Sequence, residues 1–437
     1  MIQATERVSE ATRTGRKKDA LSGPFFWLSA FYVVYCTRPE DWIPGLAYIP
    51  LVKILAILAF LSLLTSLGKT QRKLSNLPRE STYLLALMAV LVVGAFVSPI
   101  WIGGAVSHTL DFVKVYVVWL LTYLLVTNFD RLRRMILIQA ASVAVISTIS
   151  IVVGHSQPRL EGVLGGIYSN PNDLAFAVVL TLPFCLAFAL STKGFLRLCW
   201  IASMLVMMLT LMMTASRAGF ITFMVSGPVC LWHFGIRGRR LYLIVASGFV
   251  VALALAVGGR PLIKRMAAIS GNTDTQQEAQ AYGSYEQRKY LMVRAVEGIA
   301  RYPIFGLGVR NFPIYSGDWH EVHMTYLQIA VEGGIPALIL YLLFFARGFG
   351  NLKKLRRRRD LDPQITLIVG ALHSSMVGFA FGAIFAPEAY QFFPFFTVAY
   401  TSALVAIIAE QEGATQPVRR RFRYERIGAV KSEAVRP

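Results

Sequence analysis

The feature that most constrains this chain is a succession of apolar blocks, each about as long as a helix that crosses a lipid bilayer. A bilayer core is about 30 Å thick and an α-helix rises about 1.5 Å per residue, so roughly 20 apolar residues span it. The backbone finds no water there, and a helix satisfies its own N–H and C=O groups. Such blocks run over 21–36, 48–67, 84–101, 110–126, 135–153, 174–190, 195–213, 220–234, 241–257, 326–345, 365–385 and 392–408. The first is short and needs tilt or bilayer thinning to cross. The expectation is an all-α polytopic membrane protein with about 12 transmembrane helices. Composition agrees: 55% of the 437 residues are hydrophobic and 16% charged, with a mean hydropathy of +0.54. A soluble chain this long would split into domains with charged surfaces.

A net charge of +20 raises the question of nucleic acid, but the positions of the cations answer it differently. Lys and Arg cluster at 7–18, 69–79, 131–134, 193–197, 237–240, 353–359 and 419–426. Each cluster follows an even number of blocks, as the excess of positive charge in cytoplasmic loops requires. Both termini of this multi-pass chain are therefore expected in the cytoplasm, with the basic tail against anionic lipid. The expected organisation is a basic N-terminus (1–20), nine helices (21–257), a large outer loop (258–322), three helices (323–409) and a basic tail (410–437). Cys36, Cys185, Cys199 and Cys230 lie in or beside apolar blocks with no CxxC pair, which indicates neither a disulfide framework nor a zinc site. The charged N-terminus reads as preceding an uncleaved first helix rather than as a signal peptide.

The outer loop is the one long stretch without a full apolar run. Within it 285–301 reads as a helix, punctuated before by Gly271, Asn272 and Gly283 and stopped by Pro303. Gly306-Leu307-Gly308 is a weak nucleotide signal, because no strand precedes it; a turn is the better reading.

On this topology the outer face carries Arg38, Asp41, His108, Asp111, Lys114, Arg159, Asp173, Arg217, Arg288, Arg294, Arg310, His320 and His323. Arginines are disfavoured there, so each needs a reason. Snorkelling or pairing with a nearby acid is the plain one. The functional one is an anionic substrate, since guanidinium pairs bidentately with phosphate and stays charged. Arg217 sits in Thr214-Ala215-Ser216-Arg217-Ala218-Gly219, between two blocks with almost no loop. Its structural reading is a cap on the preceding helix C-terminus. For Arg159 the structural reading is neutralisation by Glu161, and Asn172 or Asp173 is expected to cap the following helix. His323 opens the tenth block at helical spacing with Tyr326, Leu327 and Ala330, one turn from His320. A histidine there can exchange a proton near neutral pH, or be an interfacial residue satisfied by water. Glu332 and His373 are the groups a transporter would use; otherwise each bonds a neighbouring helix.

Taken in order, Arg159-x-x-Gly with Asn-Pro-Asn-x-Leu-Ala, then Thr-Ala-Ser-Arg-Ala-Gly, then Arg288 leading to Pro303-x-x-Gly-x-Gly-x-x-Asn-Phe, then His323-x-x-Tyr-Leu-Gln-x-x-x-Glu-x-Gly form a pattern. It resembles the O-antigen ligase and O-antigen polymerase superfamily of bacterial inner-membrane glycosyltransferases, by motif over 159–334 and by topology over the whole chain. The resemblance implies transfer of a glycan from undecaprenyl pyrophosphate, on the periplasmic face, to lipid A–core, another repeat unit or a protein, with no nucleotide sugar, cofactor or metal. Arg217 and Arg288 match the arginines assigned to the pyrophosphate, and His323 the histidine at the acceptor. Arg159, Arg294, Arg310 and Lys114 are further cations expected to bind substrate. The family usually places Asn after that histidine, where this chain has Met324. Arg38-Pro39-Glu40-Asp41-Trp42 is weakly similar to ligase-like members linked to exopolysaccharide or protein-sorting loci.

A ligase is the leading reading and a repeat-unit polymerase of the same superfamily its rival. A lipid-linked-glycan transporter fits the helix count, but no paired repeat is visible and the ionisable groups favour one face. A structural scaffold leaves the outer arginines without a reason.

Overall fold

The computed structural model describes residues 19–43, 45–66, 68, 72–154, 159–162, 168, 170–267 and 276–415. The basic stretches at 7–18 and 419–426, together with Lys69, Gly271 and Asn272, lie outside the described residues. The described part is helical: α1 (Ser22–Thr37), α2 (Pro39–Trp42), α3 (Leu51–Leu64), α4 (Arg79–Phe96), α5 (Ile102–Leu125), α6 (Phe129–Gly154), α7 (Pro171–Ser191) and α8 (Gly194–Met213). Then follow α9 (Arg217–Leu231), α10 (Tyr242–Gly258), α11 (Arg260–Ala267), α12 (Gln276–Arg301), α13 (Phe312–Ser316), α14 (Thr325–Arg357), α15 (Pro363–Gly382) and α16 (Phe392–Thr415).

Among the described residues nine helices are long and apolar enough to cross a membrane, and the bent pair α10–α11 makes a tenth if counted as one span. Twelve were expected. The two that fall short are α1, 16 residues, and α3, 14 residues, which reach only about 24 and 21 Å against a core of about 30 Å. Both pack against each other.

Burial sorts the spans. The apolar window of α7 is 83% buried, that of α16 78% and that of α15 67%, whereas α8 and α9 reach only 28% and 33%. The first three are the centre of the bundle. The rim helix α8 leaves Phe195, Leu196, Leu198 and Leu205 uncovered, which suits a lipid-facing surface and no aqueous one. At the centre the Tyr32 and Phe396 rings stack at 4.3 Å, and Phe345 meets Phe379 at 4.7 Å.

The basic loops gather at one end. Arg72 bonds Glu410 at 2.7 Å, Arg131 bonds Asp19 at 2.5 Å, and Arg358 pairs with Glu412. Residues 19, 72, 131, 358, 410 and 412 therefore share an end, as the alternation of charge along the chain requires.

Two outer features differ from expectation. The helix read as 285–301 begins at Gln276 and runs through Gly283; one glycine inside a helix costs only about 1 kcal/mol, which its 26 residues override. And α14 is broken at Gly334, φ 82 and ψ 175. Pro336 has no N–H to give the Glu332 carbonyl. The turn at 303–308 fills the gap: Leu307 N bonds Val331 O at 2.9 Å, Gly308 N bonds Glu332 O at 2.9 Å, and Ile335 N bonds Pro303 O at 2.8 Å. This zip ties the end of the outer segment to the membrane helix beneath it.

Candidate functional site

The sharp turn between α8 and α9 starts the site. Thr214 N–H closes α8 on Thr210 O, Ala215 takes a left-handed φ of 49°, and Ser216 caps α9 by accepting from Gly219 N at 3.1 Å. Arg217 is thus the first residue of α9, not a cap on α8. A helix N-terminus carries positive partial charge, so the dipole opposes a cation there and favours an anion beside it.

Asn172 couples this turn to the next arginine. Asn170, rather than Asn172 or Asp173, caps α7 by accepting from Asn172 N at 2.9 Å. The Asn172 side chain is thereby left to accept from Ser216 Oγ at 2.8 Å and from Arg159 Nη2 at 3.3 Å. Arg159 Nε donates to Thr214 O at 3.1 Å. Glu161 acts on Arg159 only through its field, so the expected neutralising pair does not form.

Two more arginines close on the first two. Arg288 comes from α12 and Arg265 from α11, beyond the 90° bend that follows α10. Arg217, Arg265 and Arg288 all act on Arg159, Arg217 and Arg265 act on Arg288, and Arg217 acts on Arg265. Burial, reinforced by these like charges, pulls Arg159 and Arg288 down to about 10, which still leaves them charged at neutral pH. The Nε atoms of Arg265 and Arg288 are buried with no acceptor among the described residues, a cost of about 1–3 kcal/mol each. Four half-buried guanidiniums, each within the field of the others, favour an anion of high charge density beside them.

His323 stands beside them. It lies just before α14, whose N-cap is Met324, so it shares no helical face with Tyr326, Leu327 and Ala330, and His320 is not one helical turn away. The two imidazoles approach to 6.3 Å between centroids. Burial, then the fields of Arg288 and His320, pull His323 down to about 4. The ring is neutral at pH 7 and can accept a proton. If it serves as base, the acid limb of kcat/KM for the free enzyme should fall near pH 4 rather than 6.5, because only below its folded pKa does the ring become charged. A pH–rate profile measures this, and a limb at 6.5 or above contradicts it.

The remaining expected cations are engaged elsewhere. Lys114 is exposed on α5 and paired with Asp111. Arg294 bonds Glu297 at 2.5 Å and covers the Tyr315 ring at 4.9 Å. Arg310 pairs with Glu321 at 3.6 Å. Glu332, 1% exposed, accepts from Tyr390 Oη at 2.6 Å. His373 bonds His233 at 3.0 Å and Arg356 at 3.0 Å, near the basic end. Sequence reasoning passed over Arg265, since Arg260, Lys264 and Arg265 look like ordinary charges of a polar loop; only the bend of the chain turns one of them inward. Among the described residues no group of three or more His, Cys, Asp or Glu is arranged to hold a metal ion.

A polytopic helical membrane protein with a cluster of arginines at one end and basic loops at the other is the class that the fold defines. Residues 202–342, from within α8 to within α14, match the family model Wzy_C, O-antigen ligase. No curated protein matches the chain.

Proposed function

We propose that this protein transfers a glycan from undecaprenyl pyrophosphate to an acceptor hydroxyl on the periplasmic face of the inner membrane, as a ligase. The observation that supports the reading is the gathering of Arg159, Arg217, Arg265 and Arg288 within one another's fields, with His323 in the field of Arg288. With the bent pair α10–α11 counted as one span the described helices make ten, an even number that would keep both ends of the chain on one side, and the basic loops support placing that side in the cytoplasm. Whether α1 and α3 cross as a pair or not at all leaves this assignment unchanged.

The chemistry follows from the charges. The acceptor oxygen attacks the anomeric carbon while the bond from that carbon to the phosphate oxygen breaks. Its electron pair stays on undecaprenyl pyrophosphate, where Arg217 and Arg288, with Arg159 and Arg265, stabilise the developing charge. The acceptor proton passes to neutral His323. One displacement inverts the anomeric centre, and retention of configuration in the product would rule the single step out.

The test is a deletion strain complemented with wild type, Arg217→Ala or His323→Ala. Wild type should restore long chains on the acceptor, and both variants should express normally and transfer nothing. Full transfer by both defeats the site. Accumulation of free polymer in the deletion strain marks a ligase; acceptor capped with single repeats marks the polymerase. Purified protein that moves lipid-linked glycan across vesicles without forming a glycosidic bond marks a transporter.

A further inference from the structure

Next to His323 the outer segment presents an aromatic ring to water. Trp319 is 82% exposed, the kind of large apolar side chain that folding ordinarily covers. The ring is not loose. The imidazole of His320 lies 3.6 Å from it between centroids, tilted by 34°, and backs one of its faces. His320 is itself held: its backbone N–H donates to Asp318 Oδ1 at 3.0 Å and its Nδ1 to the same oxygen at 2.6 Å. Gln287 Nε2, one residue before Arg288 on α12, donates to the other oxygen, Asp318 Oδ2, at 2.8 Å. These bonds hold the Asp318 carboxyl at about 2, well below its ordinary value. The result is a rigid platform with one open aromatic face, rimmed by a carboxylate that accepts hydrogen bonds and an amide that donates and accepts them.

We propose that Trp319 is the stacking platform for a pyranose ring of the acceptor glycan, with Asp318 and Gln287 bonding its hydroxyls. The electron-rich face of an indole attracts the weakly positive C–H groups of a sugar ring, as it attracts other positive edges. A pyranose has an apolar C–H face and polar hydroxyls at its rim, which matches this arrangement of surfaces. The placement selects the acceptor rather than the donor pyrophosphate: Trp319 packs on His320, and His320 faces His323, while the Asp318 carboxylate at the rim repels an anion. The inference rests on the proposed function for the direction of transfer, but the sugar site itself does not require it. A tryptophan at a membrane–water interface can also serve as an anchor through its amphipathic ring, but loss of an anchor would not confine its effect to the acceptor KM.

The experiment uses the full chain in nanodiscs, labelled with 5-fluorotryptophan at its seven tryptophans. Trp319→Phe identifies the Trp319 resonance by its loss from the ¹⁹F spectrum. Methyl pyranosides of glucose, galactose and N-acetylglucosamine are titrated, with glycerol as control. At least one pyranoside should shift that resonance with saturation while glycerol does not. In transfer assays Trp319→Leu should raise the acceptor KM by tenfold or more, about 1.4 kcal/mol, with kcat and donor KM unchanged; Trp319→Phe should stay within threefold of wild type. A resonance that no pyranoside moves, a Leu variant equal to wild type, or an effect on donor KM alone overturns the proposal. If His323→Ala retains transfer while the pyranoside still shifts Trp319, the assigned chemistry fails and the sugar site stands.

Discussion

Arg288→Ala should lower glycan transfer by about 10²–10³-fold, the usual penalty for deleting one preorganised donor to developing negative charge. Arg265→Ala should do the same, although nothing in the linear sequence marks it. Both groups hold a buried Nε that no described residue satisfies, and both lie in the field of Arg217. Their repulsion is a cost in the free protein that only an anion relieves. Removing either one should therefore leave thermal stability unchanged or raise it, while transfer collapses. Steady-state transfer and thermal unfolding of the same preparations in detergent read the two quantities separately. Arg288→Lys should recover only part of the loss, because an ammonium keeps the charge and forfeits the planar fork. Loss of stability in step with loss of transfer would show the arginines to be structural supports.

The second large effect is on folding. Gly334→Ala should destabilise the chain by about 3 kcal/mol or more. Its φ of 82 and ψ of 175 belong to a region open essentially to glycine, and a Cβ there would lie 2.2 Å from Ile304 O and 2.9 Å from Pro303 O. Both contacts are backbone and cannot swing away. The added methyl forces the 303–308 turn off α14, and with it the anchor for the end of the outer segment. Gly317→Ala is the control: its φ is 74, but nothing lies within 4 Å of the added Cβ, so only about 1 kcal/mol of backbone strain is expected. Thermal unfolding should rank the two clearly, and limited proteolysis should cut 303–308 in Gly334→Ala alone. Equal melting points would show that the zip is dispensable.

Much of the molecule was legible in order of residue type. Every apolar block became a helix, because a run of apolar side chains and the demand for internal hydrogen bonds leave no other solution in lipid. The basic loops meet at one end, tied by Arg72–Glu410 and Arg131–Asp19. Arg159, Arg217, Arg288 and His323 could be picked out because cations on the outer face are costly enough to need a reason. Periodicity was less informative about limits. It marked the first block as short but missed that α3 is shorter still, and that α12 runs on through Gly283.

What sequence alone determined is the class of solvent, the helices and the sidedness of charge, since hydropathy and charge act residue by residue. What only the tertiary structure decided is which cations meet. Lys114, Arg294 and Arg310 are cations as the chosen four groups are, yet each is engaged by an acid nearby. Arg265 enters because α11 turns 90° after α10. Asn172 joins Arg159 to Ser216 because Asn170 takes the capping role. Electrostatic partnership depends on distance in space, and three-dimensional distance between residues 159, 217, 265, 288 and 323 is set by helix packing that no local pattern encodes.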